Sequence, residues 1–193
     1  RLKYDLVIVD APATGHAITM LRLPQAILET VPEGPLPHTA RRVSELMHDA
    51  LQTAMLIVTL AEDLPVSETL DLHRANEQLL KLPLGPIVVN QLWPTDFEGQ
   101  SGEARVVRAL EHTGGAAADP VLAPLLGRAR ITHARRALND RYLERLAREL
   151  PEPQVQLPFL FRPRFARSEL EELVQVLDRQ LPAGNHQPPR SPA

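Results

Sequence analysis

Asp10 is followed closely by Thr14, Gly15 and His16 within the run YDLVIVDAPATGHAITMLRLP, residues 4–24. A carboxylate closing an apolar run, with a small-residue turn after it, can hold a water molecule or a Mg²⁺ ion beside a phosphate chain. Gly15 lacks a Cβ, so the backbone can approach a phosphate closely there and donate its N–H. The same residues also suit a plainer arrangement, in which Thr14 caps the following helix and His16 packs on a sheet. The other histidines (His38, His48, His73, His112, His133 and His186) are scattered without metal-ligand spacing.

Two further polar positions follow apolar runs. Glu62 stands in Leu60-Ala61-Glu62-Asp63, and Asn90 precedes Gln91. An asparagine amide can pair with the N6 and N7 edge of adenine, although acids and amides at strand ends also serve as caps and turns. Pro158, Phe159, Leu160, Phe161, Arg162, Pro163 and Arg164 form a loop of apolar residues with two arginines. Such a loop suits two tasks, covering a base while reaching a phosphate or plugging the core beneath a helix.

These residues need elements to hold them. Leu6–Val9, Met55–Leu60 and Pro86–Val89 predict buried parallel strands, with Gln154–Leu157 as a fourth. Helical spacing predicts a helix over Val66–Leu80, with Pro65 in its first turn. It predicts others through Leu138, Tyr142, Leu146 and Leu150, and through Leu170, Leu173, Val174, Leu177 and Leu181. Alternating strands and helices give a three-layer α/β domain with a mostly parallel sheet over residues 1–181. Asp10, Glu62 and Asn90 then fall at strand carboxyl ends, where open sheets bind ligands. Residues 25–52 read as a short, Pro-interrupted helical insert and 96–118 as irregular. The polar, Pro-rich tail 182–193 is expected to be disordered.

Composition narrows the possibilities. The 193 residues carry a net charge of −3, and Lys3 and Lys81 are the only lysines, so nothing favours nucleic acid as a bulk partner. Cysteine is absent, which excludes disulfides, thiolate metal sites and Cys nucleophiles. No apolar run approaches the roughly 20 residues that span a bilayer, and no signal peptide is evident, so a cytoplasmic protein is expected.

The ordered series VIVDAPATGH, LAEDLPVSETLDL, PIVVNQLWP and LPFLFRPR resembles the ArsA-type anion-transporting ATPases and the related Get-pathway ATPase. The resemblance covers about Tyr4 to Leu181. It implies a sheet of P-loop NTPase type, ATP and Mg²⁺, and a homodimer or tandem pseudodimer that ATP hydrolysis opens and closes on a cargo or membrane partner. By that resemblance Asp10 to His16 is switch II, with Asp10, Thr14, Gly15 and His16 catalytic and Asp10 on the Mg²⁺. Glu62 matches a nucleotide-contacting acid, Asn90 the adenine-reading residue, and Pro158 to Arg164 the adenine loop. The family switch reads Asp-Thr-Ala-Pro-Thr-Gly-His, whereas Pro12 here is displaced by one position. The family's phosphate loop and switch I acid would precede Arg1, so the resemblance implies an N-terminally incomplete domain, inactive alone. A non-catalytic module on the same fold and a ParA/MinD-like partitioning ATPase are the alternative readings.

Overall fold

The computed structural model describes residues 4–93 and 122–181; the segment expected to be irregular at 96–118 falls outside them, as does the tail at 182–193. The elements are α1 (Thr14–Thr30), α2 (Pro35–His48), β1 (Met55–Leu60), α3 (Asp63–Ala75), a π-helical turn (Asn76–Leu80), β2 (Leu84–Leu92), α4 (Leu122–Glu149), β3 (Gln154–Pro158) and α5 (Arg167–Gln180). The fold is α/β, with a three-stranded parallel sheet in the order β1-β2-β3 flanked by helices. This bears out the fold class read from the sequence.

The chain divides into two compact units, one built from Arg1–Met55 with Ser67–Gly85 and the other from Leu56–Val66 with Pro86–Ala193. In the first, α1 packs against α2 and touches the π turn. Gly34, at φ 120°, turns the chain into α2, and Pro35 occupies its first turn, where the ring costs no hydrogen bond. The His48 ring nitrogens lie 2.7 Å from the Ser44 carbonyl oxygen and 2.9 Å from that of Leu80, tying α2 to the π turn. Beyond that turn Lys81 takes a left-handed conformation, φ 53°. The buried Asn76 carboxamide clasps Leu82 by both backbone groups, donating to its carbonyl at 3.0 Å and accepting its N–H at 3.0 Å.

The second unit carries the sheet. Ile57, Ile87, Val89, Val155 and Leu157 are buried strand residues. The expected buried strand at Met55–Leu60 is covered on one face only, because Leu56 and Val58 on its other face are 56% and 63% exposed. Asn139, Leu143, Leu146 and Leu150 form the buried stripe at the carboxyl half of α4. The predicted stripe ran in steps of four, through Leu138 and Tyr142. A helix turns every 3.6 residues, which rotates those two residues toward the margin and leaves them half-buried. α5 lies on β3 with no residue fully buried. Gln180 fixes its end: Nε2 donates to the Gln156 carbonyl at 2.7 Å, and Oε1 accepts the Gln156 N–H at 2.8 Å. At its start the Glu169 carboxylate accepts the Ala166 N–H at 2.8 Å, which is half of a capping box, since an alanine offers no oxygen to complete it.

One expectation fails. Leu6–Val9 forms no strand; Tyr4 to Ala13 is irregular, and Leu6, Val7, Ile8 and Val9 are 66 to 83% exposed. The run has the β-branched side chains of a buried strand, but a strand also needs neighbours to take its N–H and C=O groups. The sheet is built from β1, β2 and β3 without it.

Candidate functional site

The loops leaving the carboxyl ends of β1, β2 and β3 enclose a pocket of about 210 Å³. Leu60, Ala61 and Glu62 supply the β1 side, Gln91 and Trp93 the β2 side, and Phe159 the β3 side. Arg135, Leu138 and Asn139 complete it from α4; their i, i+3, i+4 spacing puts them on one helix face. Ligand sites in open parallel sheets form at this edge, because the strands end together there and the loops are free to vary.

A bulge shapes the β2 side. Val89 pairs with Gln156 and Leu92 with Pro158, so Asn90 and Gln91 stand against a single residue of β3. Gln91 is left-handed, φ 58°, and its N–H donates to Asn90 Oδ1 at 2.9 Å. The ladder closes again where the Phe159 N–H donates to the Leu92 carbonyl at 2.7 Å.

Asn139 locks two of these loops together. Its Oδ1 accepts the Trp93 N–H at 2.9 Å and its Nδ2 donates to the Ala61 carbonyl at 3.1 Å. Arg136 donates from Nη1 to the Trp93 carbonyl at 3.0 Å while Nη2 holds Asp140 at 2.8 Å. Trp93 is thus fixed by both backbone groups, and it anchors an aromatic cluster. Its ring stacks near that of Phe159 (centroids 6.1 Å, 16°) and meets Phe161 edge-on at 5.1 Å. Phe159 and Phe161 are 4.6 Å apart.

Charge at the mouth comes from a loose pair, Arg135 with Glu62 at 4.0 Å, each about half exposed. Asp63 faces Arg145 at 3.9 Å and also bonds Tyr142. The Tyr142 hydroxyl is held above its ordinary value of 10.0, first by desolvation and then by that bond.

Of the residues singled out by sequence, Glu62 and Phe159 line the pocket. Pro158 ends β3, and Phe161 joins the aromatic cluster at 50% exposure. The Arg162 N–H turns back to the Leu160 carbonyl at 2.8 Å, with Arg162, Pro163 and Arg164 exposed on the surface. Asn90 lies next to the pocket; Gln91 is the residue that lines it. Asp10, Thr14, Gly15 and His16 belong to the other compact unit. Asp10 is exposed in the irregular segment, and Thr14 to His16 form the first turn of α1. Ala13, not Thr14, occupies the cap position, and no side chain caps the helix. His16 is exposed, and its N–H donates to the Ala13 carbonyl at 2.9 Å. A Cβ built on Gly15 meets nothing within 4 Å.

Gln91, Trp93, Arg135 and Asn139 did not emerge as site residues. Trp93 had a signal, being the only tryptophan, two residues past a strand-end amide. Arg135 and Asn139 had one only through the phase of α4.

Among the described residues no three His, Cys, Asp or Glu side chains group to hold a metal ion. Mg²⁺ commonly keeps most of its waters and takes one or two carboxylates with substrate phosphates. A lone exposed carboxylate such as Asp10 suits that manner of binding. No helix among the described residues is long and apolar enough to cross a membrane.

No protein-family model matches the chain. It is similar to a Mycobacterium tuberculosis protein named ATPase BagA, with 38% identity over 125 residues, 64% of this chain and 34% of that protein. A Mycobacterium bovis protein provisionally named ATPase Mb3704 matches with the same identity and coverage. The chain spans about a third of the length of these curated relatives.

Proposed function

We propose that this chain is part of an ATP-binding and ATP-hydrolysing switch protein of the ArsA-like type. The observation that carries the reading is the pocket at the strand carboxyl ends, with Trp93 and Phe159 on one side and the Glu62–Arg135 pair at its mouth. The similarity to proteins named as ATPases supports it independently.

Under this reading the pocket takes the nucleoside end of ATP. Trp93 and Phe159 offer π faces to the base, and their rigid backbone bonds keep those faces in place. Arg135 trades its loose carboxylate partner for an anionic oxygen of the ligand, a stronger charge-assisted bond. Pro158, Leu160 and Phe161 stiffen the covering loop, while Arg162, Pro163 and Arg164 form its outer rim. Asp10 accepts a hydrogen bond from the attacking water or from a metal-bound water. Thr14 and Gly15, whose N–H groups begin α1, donate toward the terminal phosphate. His16 follows them in the same turn and moves with it. Bound Mg²⁺ would neutralise phosphate charge. Hydrolysis changes the contacts at Asp10 to His16, and this alters how two copies, or two halves of one chain, close on a cargo. A cytoplasmic location accords with this role.

The test is an ATPase assay on the complete protein as its gene encodes it, with and without Mg²⁺, beside Asp10→Asn. We expect Mg²⁺-dependent turnover that falls at least about a hundredfold in the variant while ATP still binds. Failure of the wild-type protein to bind ATP would overturn the reading.

A further inference from the structure

His48 is the last residue of α2, and both of its ring nitrogens face carbonyl oxygens. Nδ1 lies 2.7 Å from that of Ser44, one turn back on the same helix, and Nε2 lies 2.9 Å from that of Leu80, which ends the π turn. A carbonyl oxygen accepts and cannot donate, so each contact is a hydrogen bond only where the nitrogen carries a proton. A neutral imidazole has one N–H and would set the lone pair of its other nitrogen against an oxygen. Only the imidazolium serves both carbonyls.

The position suits a cation. The C-terminal turn of a helix carries partial negative charge, and His48 meets two such ends, that of α2 and that of the π turn. Glu45 and Asp49 flank the ring on its own segment, with Arg41 and Arg42 earlier on α2. The Gln52 amide and the Leu51 N–H hold the Asp49 carboxyl below its ordinary value of 3.8, so Asp49 stays ionised where a histidine titrates. The π turn brings Glu77, 3.7 Å from His73, and Lys81 follows it. α1, packed on both elements, brings Arg22 and Glu29. None of these pairs with His48 among the described residues, and no other hydrogen bond or ion pair there joins α2 to the π turn.

We propose that His48 is a proton-operated latch that fastens α2 to the π turn when its ring is protonated and releases it when the ring is neutral. The neutral ring keeps the contact to Ser44, which is local to its own helix, and gives up the one to Leu80. Folding then takes up a proton at this ring. The latch contributes its full stability on the acid side and loses it as pH rises. This holds whether or not the protein binds a nucleotide.

NMR of the histidine ring nitrogens in the complete protein as its gene encodes it tests the latch. Both His48 nitrogens should carry protons at about pH 5, and Nδ1 alone at about pH 8. Urea unfolding of the parent beside His48→Gln gives the effect on stability. The ratio of their unfolding equilibrium constants should change about tenfold between about pH 5 and about pH 8, with the parent favoured in acid. Taking the ratio removes what His73 and other shared groups contribute. His48→Lys, charged at both pH values, should show no such change against His48→Gln. A parent-to-variant ratio that is constant with pH overturns the proposal, as does a His48 ring with a single N–H at about pH 5. If His48→Gln does not fold, the ring protons of the parent decide alone.

Discussion

Asn139 Nδ2 donates to the carbonyl oxygen of Ala61 across 3.1 Å, joining the middle of α4 to the loop that leaves β1. The same amide accepts the Trp93 N–H, so one buried side chain sets the distance between two walls of the pocket.

Asn139→Ala should therefore destabilise the protein by about 2–4 kcal/mol, since it leaves a buried carbonyl and a half-buried N–H without partners. Urea unfolding measures this, and Trp93, the sole tryptophan, reports the pocket directly. Its emission should shift to the red in the variant before global unfolding begins. A variant as stable as the parent would show that the two loops hold each other without α4.

Arg135→Ala separates binding from folding. The pair with Glu62 is 4.0 Å long and about half exposed at both ends, so its loss should change stability by less than about 0.5 kcal/mol. ATP affinity, followed by Trp93 emission, should drop about tenfold because a charge-assisted bond to the ligand is lost. An undiminished affinity would take Arg135 out of the site.

Lys81→Gly offers a gain. Lys81 follows the π turn with φ 53°, and a left-handed side-chain-bearing residue costs about 1–2 kcal/mol. Glycine removes that cost and returns part of it as unfolded-chain entropy. The thermal midpoint should rise by about 1–4 °C. A fall would mean that the lysine side chain itself holds the turn.

Acid should loosen the start of α5. The Ala166 N–H and the Ser168 hydroxyl hold the Glu169 carboxyl below its ordinary value of 4.5. A carboxylate with a lowered folded pKa contributes its full stability above that ordinary value, and the contribution is lost as pH falls through the folded one. Amide NMR should show Ala166 and Glu169, whose N–H groups bond that carboxylate, losing protection as pH drops below 4.5. In Glu169→Gln the same amides should respond little over that range. A parent insensitive to pH there would leave the helix start held by packing alone.

The sheet strands at Met55–Leu60 and around Ile87 and Val89 were legible because β-branched residues ran between turn-forming ones, whereas Gln154–Leu157, with Val155 its one β-branched residue, gave a weaker signal. Leu6–Val9 carried the same signal and is no strand. Composition reports what a segment can bury, whereas pairing depends on residues far away in sequence. The site divided along similar lines. Glu62 and Phe159 are strand-end residues and could be placed from the order of elements. Gln91 could not be distinguished from Asn90, because the distinction comes from one extra residue in a ladder. Arg135 and Asn139 lay in a 28-residue helix whose phase decides which side chains meet the strand ends.

The two bonds between Gln180 and Gln156 act at the outer margin of the sheet. Among the described residues β3 has β2 on one side only, and Gln156 presents its N–H and C=O on the other. A single carboxamide has the donor and acceptor of a peptide group, and Gln180 supplies both at 2.7 and 2.8 Å. It thus imitates one residue of a further strand and ends there, so Gln156 offers no template for another chain to extend the ladder. The amide that fastens α5 also keeps this edge from recruiting a neighbour.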